Sequence, residues 1–476
     1  MEKIRELFAG MIVKKDNKND QFSILGIPSF IRDWFIRRYA NENGEINTDF
    51  VASKIKEILP RKENVNQILD KLYQGENVKF LAKIEINIDL KKTQVSFAIN
   101  DLDIDFKDTI ITPDVWEDCK DYVLNSNGGV WGIVTLCVRR VKLGKSEENK
   151  IALLEFKNFM PYTIDLNYYK KARTNFSTEE WIDVVLSAID YNADAFETEK
   201  EKLAIIKRLL PFAEKRLNMI ELAPKGTGKS YLFSQISKFG WLSNGGTMSR
   251  AKLFYDMTKK QEGLVSCWDF VALDEVSTIR FSDIDEMRGA MKGYLESGTY
   301  TVGTKMGNGD AGVILLGNIL QSEMDTNRDM FQNLPPIFHD SALLDRFHGF
   351  IEGWEIPRMN ESKKARTWAL NCEYFSSILH EMREDITYRK LVDEILDYDN
   401  NSDTRDITAV KRMVTAYMKI LFPHWQKPSD VNAKEFEKYC LTPSVRMRKI
   451  MKIQMGIMDT EFLNKPFPNF GVKGVK

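Results

Sequence analysis

Apolar positions along the chain change period several times. In SFIRDWFIRRYA (29–40) they fall three and four apart, which places them on one face of a helix. With the charged residues around it, this predicts a helical N-terminal region over 1–77. From 78 to 106 the period drops to two. Phe80, Ala82, Ile84, Ile86 and Ile88 alternate with polar residues, LKKTQ turns the chain, and Val95, Phe97 and Ile99 resume the alternation, a strand–turn–strand signal. VWGIVTLCVRRVKLG and KIALLEF add two strands around a charged loop. A β-rich domain over 78–175 follows from these segments. Helical character, rich in Glu and Lys, returns over 176–218.

From Leu217 an apolar strand, a loop and a helix recur. LNMIELA, DFVALDE and AGVILLGNI read as buried strands; KSYLFSQISK, SRAKLFYDMTKK and SDIDEMRGAMKGYLESG read as helices. Alternating strands and helices predict an α/β fold, a parallel sheet with helices on both faces, over 176–360. Beyond about residue 358 the strand pattern stops. Segments 362–397 and 405–421 are amphipathic helix candidates, so a helical region over 361–476 is expected.

Composition narrows the function classes. The chain of 476 residues carries 68 basic and 69 acidic residues, a net charge of −1, so nucleic-acid contact would need a local patch. Five scattered cysteines form no C-x-x-C pair, and there are four histidines, which argues against a structural zinc site or a disulfide scaffold. The charged N-terminus has no signal-peptide core and no apolar run reaches membrane length, so a cytoplasmic protein without membrane contact is expected.

The chemistry begins in ELAPKGTGKSYLF, residues 221–233. A phosphate loop needs glycines so that the backbone curls and several N–H groups face one anion, with a helix starting there. Pro224, Lys225, Gly226, Thr227, Gly228, Lys229, Ser230 and Tyr231 form the candidate ATP-binding segment. Lys229 supplies the cation and Ser230 a hydroxyl for Mg²⁺. Ala223 stands where the pattern wants its first glycine, and is tolerated if its φ is negative. In FVALDE, Asp274 emerges from a buried strand to hold Mg²⁺, and Glu275 is the candidate base for the attacking water. Asn318 ends the third strand, either beside the γ-phosphate or in a simple turn. Arg346, in ALLDRF, is either a surface residue paired with Asp345 or a group that reaches a neighbouring subunit's nucleotide.

Taken in this order and spacing, these elements resemble an AAA+ ATPase over about residues 190–460. The resemblance puts Asn318 at the sensor-1 position, Arg346 at the arginine finger and Arg405 at sensor 2, with Arg412 and Arg446 as rivals for that last role. ELAPKGTGKSYLF, GLVSCWDFVALDEV, MKGYLESGTYTVG and RDITAVKRMVTAYMKILFPH more closely resemble BrxL, the Lon-related ATPase family of bacteriophage-exclusion (BREX) defence. That resemblance implies a motor like that of the MCM helicases, ATP and Mg²⁺ as cofactors, hexameric or double-hexameric rings, DNA as partner and other phage-defence proteins as possible company. It also implies a small β-barrel in the N-terminal part and a helical lid after the AAA+ core. Longer family members carry a Lon-like protease domain. The chain ends about twenty residues past Met455, so a short form without peptide hydrolysis is expected.

Two segments are candidates for DNA contact. ESGTYTVGTKMGNGDAGVILL (296–316) predicts a hairpin with Lys305 near its tip, assisted by Thr299 and Thr301; the lysine is equally at home as a solvated surface group. CVRRVKLGK (137–145) places Arg139, Arg140, Lys142 and Lys145 together, as a DNA-binding face or a solvated one. The expected function is a ring-forming ATPase that binds and translocates on DNA. The alternatives are a protein unfoldase or remodeller, a nucleotide-switched clamp, and a phage or plasmid replicative helicase.

Overall fold

A computed structural model of the chain describes residues 2–15, 27–124, 129–143, 146–399, 403–463 and 465–473. Two compact units divide it: Arg38–Thr163, and Met1–Arg37 together with Ile164–Lys476. The expected helical region 1–77 is thus split. Ile68 and Leu72, on one face of the helix Val65–Tyr73, bury in the same core as Phe80 and Ile84, which ties that helix to the strands after it. Ile12–Lys14 instead pairs antiparallel with Trp368–Leu370 in the larger unit. Strands of three residues are too short for a period to show, so the sequence pattern carried no sign of this pairing.

In the smaller unit, β1 (Val78–Asp89), β2 (Gln94–Ala98), β3 (Thr109–Ile111), β4 (Val130–Leu143) and β5 (Ser146–Asn158) close into a barrel in the order β1-β2-β3-β5-β4. Its filling follows from the period of two: Phe80, Ala82, Ile84, Phe97, Ile99, Val134 and Leu136 lie in one buried cluster. Beyond the barrel, β4 and β5 continue as a hairpin that pairs Arg139 with Lys150 and Arg140 with Asn149.

The larger unit is built on strands β6 (Met219–Ala223), β7 (Gly240–Asn244) and β8 (Phe270–Asp274), then the hairpin β9 (Thr299–Val302) and β10 (Lys305–Asn308), then β11 (Gly312–Asn318) and β12 (Gly349–Glu352). Five of them form a parallel sheet in the order β12-β6-β11-β8-β7, with helices on both sides. β6 and β8 are buried at every residue, and β11 at all but its last, which suits strands covered on both faces. The two outer strands, β7 and β12, escaped the apolar-run criterion because they are short and contain Gly, Ser, Asn or Glu.

The principal helices used below are α1 (Lys229–Gln235), α2 (Ile284–Ser297), α3 (Thr404–Leu421) and α4 (Thr442–Met458). Two helix expectations are corrected. SRAKLFYDMTKK forms one turn of helix, Arg250–Leu253, and then the hairpin Tyr255–Asp256/Gln261–Glu262. Segment 362–397 breaks into two helices, Cys372–Met382 and Thr387–Ile395, flanked by the short strands Trp368–Leu370 and Leu396–Tyr398; the first helix is capped by Asn371, whose side chain accepts from Glu373 N–H. Among the described residues no helix is long and apolar enough to cross a membrane.

Phe97 is fully buried at the centre of the barrel core. Phe97→Ala should destabilise the smaller unit by about 3–5 kcal/mol, read as earlier loss of amide-exchange protection in β1, β2 and β4.

Candidate nucleotide site

The carboxyl ends of β6, β11 and β8 are neighbours where the strand order reverses, the crevice in which open α/β sheets hold ligands. β6 runs into the glycine loop. Gly226 has φ +84 and Gly228 φ +76. A side chain would strain both, and such a curl lets successive amides converge on one anion. Ala223 closes β6 without a positive φ, so its methyl replaces the pattern's first glycine at no backbone cost. Gly353 leaves it room: a Cβ there would come within 2.3 Å of Ala223 Cβ.

Lys229 opens α1 and is almost fully buried. Its Nζ donates to Asn318 Oδ1 (3.1 Å) and to the carbonyls of Ala223 and Pro224 (both 3.4 Å). Burial holds the ammonium below its usual pKa, against the pull of Glu221. The Ser230 hydroxyl donates to Asp274 Oδ2. Asp274, itself buried, accepts at Oδ1 from the N–H of Glu275 (2.8 Å). Glu275 is exposed and sits at φ +48, an uncommon conformation for a residue with a Cβ. The strained turn at the strand end carries its carboxylate out of the sheet into solvent. Lys229, Ser230, Asp274 and Asn318, separated by up to 89 positions in the chain, therefore form one connected cluster.

The donor set suits a magnesium–nucleotide complex. Ser230 Oγ and Asp274 Oδ2 are adjacent hard oxygens, and among the described residues no group of three or more His, Cys, Asp or Glu forms a complete metal cage. A cation held here would take its remaining ligands from phosphate and water, which is the habit of Mg²⁺. Lys225 and Gly226 are exposed beside this cluster, whereas Thr227 is buried. Tyr231 projects from α1 and donates to Asp190 Oδ2 (2.6 Å), with Ser29 Oγ 2.8 Å from its hydroxyl.

The arginines lie elsewhere. Asn218, just before β6, donates from Nδ2 to the Arg346 carbonyl (3.4 Å) and from its backbone to His348 Nδ1 (3.0 Å). Arg346 thus belongs at the amino end of the sheet, a strand length of roughly 16 Å from the glycine loop. Its partner is Glu296, with Nε 2.9 Å from the carboxylate, and not Asp345. Arg405, at the start of α3, joins the same group and bonds Asp345 (2.9 Å) and Glu296 (3.1 Å). Arg412 is consumed by the carbonyls of Lys215 and Arg216, and Arg446 by Glu352.

Of the candidate DNA residues, Lys305 follows the two-residue turn Gly303–Thr304, where Gly303 has φ +57. Its ammonium is 3.6 Å from Glu262 and stacks over the Tyr255 ring. Arg139 and Arg140 are exposed on β4, and Arg140 pairs with Glu147 (3.0 Å). Lys142 is in β4 opposite Glu147 in register, and Lys145 lies outside the described residues.

The sequence reading missed Arg208. Fully buried, it donates from Nε to both oxygens of Glu221 (2.9 and 3.1 Å) and from Nη1 to the Thr227 carbonyl (2.7 Å). Burial opposes its charge, but Glu221 outweighs that and raises its pKa. The available signal was Glu221 itself, a carboxylate inside an apolar strand, which requires a buried cation. Arg208→Met should destabilise the chain by about 3–5 kcal/mol by stranding Glu221; Arg208→Met with Glu221→Leu should recover most of it in urea titration.

Two family models and two named relatives match the chain. The family described as "Lon-like protease BrxL-like, ATPase domain" matches residues 151–468, and "BREX system Lon protease-like protein BrxL N-terminal" matches residues 6–137. A protein named "Lon-like protease BrxL" from Escherichia coli is 28% identical over 458 residues, covering 95% of this chain and 64% of the relative. One of the same name from Bacillus cereus is 27% identical over 492 residues, covering 99% and 71%. The chain thus spans about two thirds of the length of these relatives. With an ATPase-domain match across two thirds of its length and an N-terminal-domain match over residues 6–137, the chain belongs to the BrxL family of BREX systems.

Proposed function

We propose that the chain is a ring-forming, Mg²⁺-dependent ATPase that binds DNA and translocates on it in bacteriophage exclusion, working in the cytoplasm alongside other defence proteins. One observation carries this reading: Lys229, Ser230, Asp274 and Asn318 gather at the carboxyl end of the sheet, while Arg346 and Arg405 gather at its amino end. A site that uses Arg346 or Arg405 to stabilise the transition state must then take it from a second copy, which favours a closed ring, a hexamer or double hexamer.

In that arrangement Lys229 and the amides of residues 226–230 bind the nucleotide phosphates. Ser230 and Asp274 hold the cation, which when bound neutralises phosphate charge. Glu275 accepts the proton of the attacking water, and Asn318 orients that water while leaving Lys229 its partner. Arg346 and Arg405 approach from the neighbour, so turnover requires assembly.

DNA contact falls to Lys305 at the hairpin tip and to Arg139, Arg140 and Lys142 on β4. Each contact is weak, and a ring multiplies it. A five-stranded barrel is an architecture used elsewhere for oligonucleotides, a fold-level analogy that supports the reading. A protein unfoldase is the second reading, favoured by the word protease in the relatives' names. Stimulation of turnover by DNA favours the first reading and stimulation by unfolded protein the second.

Glu275→Gln should lower ATP turnover by about 10²–10⁴-fold while nucleotide binding and assembly persist; normal turnover would remove Glu275 from its role. Arg346→Ala and Lys229→Ala should each be inactive alone and regain partial activity when mixed, since some interfaces then pair an intact loop with an intact arginine. Failure of mixed assemblies to recover would sink the shared site.

A further inference from the structure

Arg346 and Arg405 converge on a single carboxylate. Glu296 Oε2 lies 2.9 Å from Arg346 Nε and 3.1 Å from Arg405 Nη2. Arg346 also donates from Nη1 to the Ala342 carbonyl, and Arg405 from Nη1 to Asp345 (2.9 Å). The side chain of Arg346 is only 15% exposed. Its Nη1 is turned inward onto its own chain, and its buried Nε faces Glu296 as an ion pair without a hydrogen bond, at the wall of a depression of about 360 Å³ lined by Glu296, Asp345, Arg346, His348 and Arg405. A carboxylate between two guanidinium groups occupies the place a phosphate oxygen would take, because both anions accept the same N–H donors.

Glu296 is also mechanically connected. It is the penultimate residue of α2, and the hairpin β9–β10 begins three residues later. Gly298 ends the helix at φ +79 with its N–H on the Tyr294 carbonyl (2.7 Å), while its own carbonyl accepts from Gly309 N–H (2.9 Å) and closes the hairpin base. Ser297 Oγ and Thr299 Oγ1 are 2.6 Å apart across the junction, and Arg216 donates to the Ser297 carbonyl. Helix end and hairpin base are therefore one hydrogen-bonded piece, and displacement of the hairpin displaces Glu296. The Glu296 carboxylate is 46% exposed, so water can take its place and its pairs are partly screened, the Arg405 pair more than that with the largely buried Arg346.

We propose that Glu296 is a latch: in the resting chain it holds Arg346 and Arg405 back from a neighbouring copy's nucleotide, and a DNA strand loading the β9–β10 hairpin releases them. This rests on the proposed reading of Arg346 as a group donated to the adjacent site. Glu296 is a positioning residue, since it acts through the two arginines and touches no substrate.

The test is steady-state ATPase kinetics on the full chain, with and without a single-stranded oligonucleotide. Without DNA, Glu296→Gln should raise kcat about five-fold, the rate equivalent of opening a half-exposed ion pair, with KM for ATP unchanged within about two-fold. Its stimulation by DNA should shrink to match. Glu296→Asp should restore the low DNA-free rate, and adding Arg346→Ala to Glu296→Gln should erase the gain. Glu296→Ala, which keeps helix propensity, carries the same expectation if the Gln variant melts early. An unchanged or lower DNA-free kcat in variants that melt like the parent overturns the latch alone, provided the parent hydrolyses ATP and recovers in the mixed-subunit experiment. A parent with no turnover, or turnover indifferent to Glu275→Gln, overturns the site reading and the latch together.

Discussion

The contact on which the site depends is the buried ion pair between Arg208 and Glu221. Glu221 is the middle residue of β6, a strand buried at every position, and a carboxylate there cannot stay ionised without a cation beside it. An apolar pair of similar volume would keep most of the stability. What it would lack is a donor for the glycine loop. Arg208 spends one edge on Glu221 and the other on Thr227, binding the loop to the strand that launches it. With Thr227 fixed, Gly228 is the only residue between it and α1, and Lys229 and Ser230 have one place to go. Their partners Asn318 and Asp274 are set independently by parallel register, Asn318 opposite Ala223 and Asp274 opposite Asn244. The cluster is assembled by backbone pairing on one side and a buried charge on the other.

This explains what the sequence made legible. GTGKS and the LDE strand end are local patterns whose chemistry sits in consecutive residues, and β6, β8 and β11 are apolar enough to be read as buried strands. Long-range polar pairings leave no such trace. Nothing in the period of α2 says that Glu296 meets Arg346 fifty residues later, and the neighbouring Asp345 was the more obvious partner. Asp345 instead serves Arg448, from α4, and Arg405, which hold its carboxyl below the usual range against burial. Short strands were lost for a related reason. Ile12–Lys14 finds Trp368–Leu370 across the chain through backbone bonds that any residues could make. Glu221 was the exception, a long-range requirement advertised by one charged letter in an apolar word.

At the amino end of the sheet the charges alternate in a line. Glu296 meets Arg346 and Arg405, Arg405 meets Asp345, Asp345 meets Arg448, Arg448 meets Asp406, and Asp406 meets Lys452. Burial is graded along it. Arg448 and Asp406 are wholly inside, while Arg405 is 38% and Glu296 46% exposed. Breaking an inner link strands a charge in low dielectric at several kcal/mol, roughly 3–5 by analogy with other buried pairs, whereas an outer link exchanges for water at about 0–1 kcal/mol. The line therefore has a fixed end and a loose end. Arg448 anchors α4 to the loop before β12 and cannot leave. Arg346 and Arg405 sit where a competing anion can replace the carboxylate they hold. What separates the arginines that can change partners from those that hold the fold is the carboxylate they share: Arg346 and Arg405 meet the half-exposed Glu296, whereas Arg448 meets the buried Asp345 and Asp406.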